Sequence, residues 1–384
     1  MLVSLHHFMA GIYLHIPFCK QACYYCDFHF STNLTTKREL VEAIARELIL
    51  QKDYVNGERI NTIYFGGGTP SLLTEEELDL LFDTIHENFS VSDAAEITLE
   101  ANPDDLSLSR LRQLQSQGVN RLSIGIQSFD DKVLQFLNRA HNSQSATVCV
   151  EEARNAGFQN ISIDLIYAIP GQDDDAWKQN IAQAIRLSPE HISSYSLTIE
   201  DKTVFGRWAA TGKLKVTEDD VAASQLETLV TLLGDAGFEQ YEVSNFARPG
   251  FESRHNSSYW KQERYLGVGP SAHSYNQSSR QYNISNNAAY VRGMQQNIIP
   301  FTLESLTRED KINDFLLTTL RTQWGTDLKK LQQLYQYDLL ADHEQYIKSL
   351  CEQKFALLQN DTLLLTKSGK LLADKIASDL FMLR

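Results

Sequence analysis

The stretch HIPFCKQACYYCDFHF, residues 15–30, sets Cys19, Cys23 and Cys26 in a C-x3-C-x2-C spacing with no fourth cysteine beside them. A four-iron cubane takes one protein ligand per iron and is ordinarily closed by four thiolates. A loop that offers three therefore leaves one iron open to a small molecule. Structural zinc prefers paired C-x2-C knuckles or mixed Cys and His sets, and no second knuckle follows in the chain. A disulfide scaffold fits worse. The total of five cysteines is odd, and MLVSLHHFMA, residues 1–10, reads as a short tail without the basic start and long apolar run of a signal peptide. Reduced cysteines fit a cytoplasmic location.

Outward from this loop, six short apolar segments (11–16, 62–67, 96–101, 121–127, 161–168 and 191–197) alternate with helix-like stretches. Such alternation predicts a parallel sheet wrapped by helices. Thr74 followed by Glu75, Glu76 and Glu77 marks a helix start, because acidic residues in a first turn complement the helix dipole. Gly118 and Gly157 fall where helices end before strands. Beyond residue 200 the pattern loosens into a helix at 219–236, a strand at 241–247 and a polar loop rich in Asn and Ser. From Thr307 it becomes helical, FALLQNDTLLLT (355–366) reads as a hairpin around Asn360 and Asp361, and a last helix follows. The expected division is 1–240, carrying the cysteine loop at 17–30; 241–300, a connecting segment; and 301–384, a smaller α+β, winged-helix-like accessory domain.

Composition excludes several classes. The 42% hydrophobic and 22% charged fractions are those of a globular chain, and no apolar run approaches the length of a membrane span. A formal net charge of -14 argues against nucleic acid as a partner, since phosphate binding needs clustered Lys and Arg.

Polar residues stand at or just beyond the strand ends. The second strand runs into Gly66-Gly67-Gly68-Thr69-Pro70-Ser71, where missing Cβ atoms let backbone approach a ligand. Glu100, Gln127, Arg139 and Asp164 follow, offering carboxylates and an amide for hydroxyl groups and a guanidinium for a carboxylate.

The cysteine spacing, with Tyr13 ahead of it and Tyr25 before the last cysteine, resembles the radical S-adenosylmethionine superfamily. The resemblance implies a partial (β/α)6 barrel with function at the carboxyl ends of its strands. It implies a [4Fe-4S] cluster on Cys19, Cys23 and Cys26, whose open iron binds S-adenosylmethionine. Gly67, Gly68 and Thr69 match the element that holds the methionine amino group; Glu100, Gln127, Arg139 and Asp164 fall to the same cofactor, and Tyr13 to its adenine.

YLHIPFC, YFGGGTPS, EANP, GIQSFD and DLIYAIPGQ together are similar to the oxygen-independent coproporphyrinogen III oxidase-like family, across nearly the whole chain. That family holds oxidases, which decarboxylate two propionates of coproporphyrinogen III, and HemW-like heme chaperones, which bind heme and hand it to apoproteins. The oxidases carry a further cysteine two positions after the third, where this chain has Phe28, and a longer extension than the eighteen residues that precede Cys19 here. The run His255-Asn256-Ser257-Ser258-Tyr259-Trp260 resembles the HNxxYW motif of the chaperones. It makes His255 a candidate axial ligand, with Asn256, Tyr259 and Trp260 beside the macrocycle. The plainer reading of an isolated His-Asn is a turn cap, with Trp260 filling a core. His273 in GVGPSAHS is a second candidate ligand, and Cys149 and Cys351 read as buried apolar residues on helices.

The resulting expectation is a heme chaperone whose cluster and S-adenosylmethionine govern assembly or heme transfer. Its partners are heme and recipient apo-hemoproteins, membrane-bound ones in transient contact included, with a homodimer formed when the cluster is present. The alternative is an oxygen-independent coproporphyrinogen III oxidase. An RNA-modifying radical enzyme is disfavoured by the acidic charge and by the lack of an added RNA-binding domain.

Overall fold

The computed structural model describes residues 9–382, so most of the stretch read as an N-terminal tail, residues 1–8, lies outside the described residues. Strands β1 (Met9–Ile16), β2 (Arg59–Gly67), β3 (Val91–Ala101), β4 (Arg121–Gln127), β5 (Ile161–Tyr167) and β6 (His191–Ser196) pair in parallel in chain order. These are the six segments expected from the sequence, and they form the partial barrel. Alternation within each strand sorts the two faces. Ile12, Leu14, Phe65, Leu99, Leu122, Ile163 and their neighbours are buried against the surrounding helices. The residues between them, Tyr13, Tyr64, Glu100, Ser123 and Asp164, line a polar lumen.

Local signals set the helix boundaries. Helix Glu75–Asn88 begins in a capping box, in which Thr74 accepts from the Glu77 amide at 3.3 Å and donates its own amide to the Glu77 carboxylate at 2.8 Å. Gly118 and Gly157 take positive φ (+99° and +108°) just before β4 and β5, which glycine does without strain.

The sheet continues at both edges. The stretch 241–247, expected as one strand, is broken: β7 (Glu239–Glu242) turns back at Val243 and Ser244 into β8 (Asn245–Ala247), which pairs antiparallel with β6. At the opposite edge β9 (Arg264–Val268) lies parallel to β1, followed by the antiparallel strands β10 (His273–Tyr275), β11 (Ser279–Asn283) and β12 (Phe301–Ser305). Residues 241–300, read as a connecting segment, thus contribute strands to both edges of a twelve-stranded sheet. Buried Glu47, on helix Lys37–Leu50, fastens the β9 edge. It accepts from the Gly269 amide (2.8 Å), Asn283 (2.7 Å) and the Tyr290 hydroxyl.

The C-terminal part has its own core of Ile312, Phe315, Leu316, Leu331 and Leu363. Helices Arg308–Leu320, Leu328–Tyr335 and Leu339–Glu352 pack on a small antiparallel sheet of β13 (Thr326–Asp327), β14 (Ala356–Gln359) and β15 (Thr362–Leu365), a winged-helix-like arrangement. Asn360 and Asp361 both take positive φ (+48° and +62°), the geometry of a two-residue hairpin turn. Arg321 ties this part to β7 by an ion pair with Glu242 at 3.0 Å. Cys149 is buried as expected, whereas Cys351 is only half-buried. Among the described residues no helix is long and apolar enough to cross a membrane.

Candidate functional site

The cysteine loop leaves β1 and is closed at its neck by two backbone hydrogen bonds, Cys19 N to Ser31 O (3.0 Å) and Ser31 N to Pro17 O (2.8 Å). Tyr24 anchors it, edge-on to Phe205 and Trp208 at ring distances of 6.0 and 5.2 Å. Asn138 donates to Ala22 O at 2.7 Å, and Lys20 pairs with Asp104 (3.0 Å) and Asp105. All three thiols are free and half-buried. Two of them receive donors: Thr69 Oγ1 at 3.4 Å from Cys19 Sγ, and Arg139 Nη1 at 3.3 Å from Cys23 Sγ. Burial raises the Cys19 thiol and pushes Cys26 up to about 11. Donors aimed at sulfur suit thiolates, the deprotonated form in which a cysteine would ligate a metal. Among the described residues no three His, Cys, Asp or Glu side chains converge tightly enough to hold a single ion. Three thiols on one loop, two of them facing hydrogen-bond donors, are a donor set that suits an iron-sulfur cluster.

The glycine run at the end of β2 lies directly beneath this loop. A Cβ on Gly68 would stand 2.7 Å from the backbone N and O of Phe18, and one on Gly67, at φ +106°, 2.7 Å from the His15 ring. The glycines thus let the loop neck lie over the sheet. Their amides are engaged, Gly67 N on Glu100 Oε2 (3.2 Å) and Gly68 N on Ile16 O (2.9 Å), so toward a ligand the run can present only carbonyl acceptors.

Glu100 also accepts from the Tyr64 hydroxyl at 2.7 Å, and Asp164 from Ser123 at 3.4 Å. Both carboxylates are half-buried. Burial lifts Glu100 to about 7, against the Tyr64 hydrogen bond and with the Asp164 charge adding to it; burial likewise lifts Asp164 to about 6. Gln127 ends β4 at φ +66°, after a register shift, a strained conformation of the kind that collects at functional sites. Arg139 Nη2 donates to Asn102 Oδ1 (2.6 Å) and Gly125 O (2.7 Å), while its Nε has no acceptor. Tyr13 stacks on Tyr64 at 6.0 Å, with its hydroxyl 3.2 Å from His15 Nδ1. Thr69 and Arg139 thus touch the cysteine loop, Gly67 and Gly68 lie under its neck, and Glu100, Gln127 and Asp164 stand toward the carboxyl ends of their strands, which form the rim of the barrel; Tyr13 lies lower, its ring also stacked on His255 at 6.3 Å.

The four residues of the HNxxYW-like run lie elsewhere. Helix Arg254–Trp260 closes the amino-terminal end of the barrel as its floor. His255 is 1% exposed there, with Nδ1 2.8 Å from Thr62 Oγ1, Nε2 2.7 Å from Tyr259 Oη, and its ring stacked on Tyr64 at 4.9 Å. Burial pushes its pKa down to about 3, so the imidazole is neutral. Asn256 and Trp260 are half-buried, and the Trp260 indole N–H lacks an acceptor. His273 is exposed on β10 and stacks on Tyr282 at 5.6 Å. Phe28, where the oxidase pattern has cysteine, is 73% exposed beside the loop.

Sequence reading passed over Asn102, which braces both Arg139 and Thr69 (3.2 Å), and Tyr64, which links Glu100 to His255. The signal for Tyr64 was available, since it alternates in phase with Thr62 and Gly66 on the lumen face of β2.

Residues 13–184 match the model of the Radical SAM superfamily, and residues 306–372 that of the HemN C-terminal domain. The chain is 35% identical over 371 residues to the heme chaperone HemW of Bacillus subtilis, covering 96% of this chain and 98% of that one. It is 35% identical to the protein of the same name from Lactococcus lactis, covering 91% and 90%. The solved structure of coproporphyrinogen III oxidase (HemN) from Escherichia coli superimposes with a TM-score of 0.84 over 98% of this chain and 91% of that chain at 23% identity, a likeness of fold.

Proposed function

The chain belongs to the HemW family within the radical SAM superfamily, and from that premise we propose that it is a cytoplasmic heme chaperone, binding heme and passing it to apo-hemoproteins. The observation that carries this reading is kinship over the full length to proteins named heme chaperone. In this reading Cys19, Cys23 and Cys26 hold a [4Fe-4S] cluster, and S-adenosylmethionine lies along the rim. When bound, the pair supplies one-electron chemistry at the strand ends. Thr69 and Arg139 steady the thiolate sulfurs; glycine-run carbonyls accept from the methionine ammonium; Glu100, Gln127 and Asp164 take the ribose hydroxyls; and Tyr13 borders the adenine.

Phe28 speaks against the oxidase alternative, because an exposed phenyl ring at that position supplies no sulfur. For heme, His273 is the imidazole a macrocycle reaches in the described conformation. His255 becomes a ligand only when helix Arg254–Trp260 lifts and gives up its bonds to Thr62 and Tyr259. Cluster loading drives dimer formation, and the recipients include hemoproteins met transiently at membranes.

The test is an anaerobic heme titration of the reconstituted protein, followed at the Soret band, beside His255→Ala and His273→Ala, then incubation with an apo-hemoprotein. Stoichiometric uptake followed by transfer is expected. Multiple-turnover conversion of coproporphyrinogen III to protoporphyrinogen IX would sink the chaperone reading.

A further inference from the structure

Arg121 opens β4 on the lumen face. In the β3–β4 register it lies beside Thr98, while Glu100, one same-face step onward, lies beside Ser123. The two side chains thus share one face of neighbouring strands, and the Arg121 charge acts on the Glu100 carboxyl. Arg121 is 1% exposed, its Nε has no acceptor, and no carboxylate pairs with it among the described residues. The neighbouring Thr98 hydroxyl is likewise without a partner.

A buried guanidinium without a carboxylate partner is costly to desolvate, and apolar replacement of buried charges is often stabilising. Stability alone therefore does not account for this residue. The surroundings do. Its field reaches Glu100 on β3, Asp164 on β5, Tyr64 on β2, His191 on β6, and Tyr241 and His255 below. Both imidazoles are neutral, so the charges that answer it are the two rim carboxylates.

We propose that Arg121 is a positioning residue for the cofactor site: from inside the barrel its charge favours the carboxylate forms of Glu100 and Asp164, which accept from the hydroxyl groups of S-adenosylmethionine and face its cationic centres. This rests on the reading of the rim as the S-adenosylmethionine site. Glu100 is also faced by Tyr13 from β1, Tyr64 from β2, Asp164 from β5, Tyr195 from β6, Tyr259 from the floor and Cys19 from the loop. Among these Arg121 is the cation. Burial lifts both carboxyls and Arg121 pulls both down, with Arg139 and bonds from Ser193 and Ser123 acting the same way on Asp164, so removal of Arg121 sends both further up and Glu100 most directly.

The experiment measures S-adenosylmethionine affinity of the reconstituted full chain from mildly acidic to alkaline pH in wild type, Arg121→Met and Arg121→Lys. The expected result is that the Met variant loses affinity at neutral pH and regains wild-type affinity at alkaline pH, while the Lys variant follows the wild type. Affinity lowered by the same factor at every pH would mean a structural role only and overturns the proposal. A wild type that binds no S-adenosylmethionine refutes the site reading instead. Arg121 is then judged on cofactor-free protein, by infrared titration of carbon-13 glutamate with the Glu100 band assigned through Glu100→Gln. The Glu100 midpoint rises in Arg121→Gln, the variant used should the Met variant not fold; an unmoved midpoint defeats the idea.

Discussion

The two ends of one barrel are built on opposite terms. At the floor His255 and His191 each have both ring nitrogens hydrogen-bonded, His191 to Ser162 and to the Tyr241 hydroxyl at 2.8 Å each, and both imidazoles are neutral. At the rim Glu100 and Asp164 are held above their ordinary range, Arg139 keeps an unused Nε, and three thiols stand free. A satisfied polar network fixes a structure, and the two floor imidazoles stand in such a network, while the Trp260 indole N–H beside them lacks an acceptor. The rim holds titratable groups and hydrogen-bonding capacity that the protein alone leaves unused, at the end where the proposed cofactor site lies.

The sharpest way to break this contrast is to remove the thiols. Cys19→Ala, Cys23→Ala or Cys26→Ala should abolish the four-iron signal in electron paramagnetic resonance and the bound iron in metal analysis, with the urea unfolding midpoint of the cofactor-free protein nearly unmoved. At the floor the effect should reverse. His255→Ala leaves Thr62 and Tyr259 without partners and opens a cavity, a loss of about 2–4 kcal/mol in urea unfolding, with iron loading retained. Equal stability would show that the floor is not the fixed end.

A smaller effect tests the rim carboxylate. Because Glu100 is raised from 4.5 to about 7, the folded protein holds its proton more tightly than the unfolded chain, and stability from this group falls as pH rises through that window. Glu100→Gln should therefore raise the unfolding midpoint of the cofactor-free protein above pH 7 and leave it unchanged below pH 4.5, read by urea titration at the two ends. A gain of the same size at both ends would place the effect elsewhere. The smallest effect is expected at exposed Phe28, where Phe28→Ser should change stability by no more than about 0.5 kcal/mol and leave iron content intact.

Much of the rim was legible because it is local. GIYLHI, TIYFGG and RLSIGIQ alternate apolar residues, which pack outward, with Gly11, Tyr13, Thr62, Tyr64, Arg121 and Ser123, which face inward. That polar phase on the inner face of a parallel sheet announces a lumen that holds something other than core. The edges were less legible: the stretch 241–247 read as one strand where the fold has two, and the pairing of the edge strands was not visible. β8 is three residues long and β9 five, and their partners, β6 and β1, are set by distant sequence. His255 shows the same limit: its motif is visible in the chain, but its burial depends on Thr62, 193 positions away. Arg121 was visible as a charge in a strand, and only the register of β3 against β4 places it on the same face as Glu100.

The pairing of β9 with β1 has a consequence for biosynthesis. Ala10 opposes Arg264, so the outer edge of the first strand has no partner until nearly seven-tenths of the chain has been made. At about 5–20 residues per second, translation of the roughly 250 intervening residues takes about 12–50 s. Through that interval Glu47 also lacks Gly269, Asn283 and Tyr290, the groups that satisfy its carboxylate in the finished protein. The nascent chain therefore leaves the ribosome with an open sheet edge, and its yield in the cell depends on shelter for that edge until the late strands arrive.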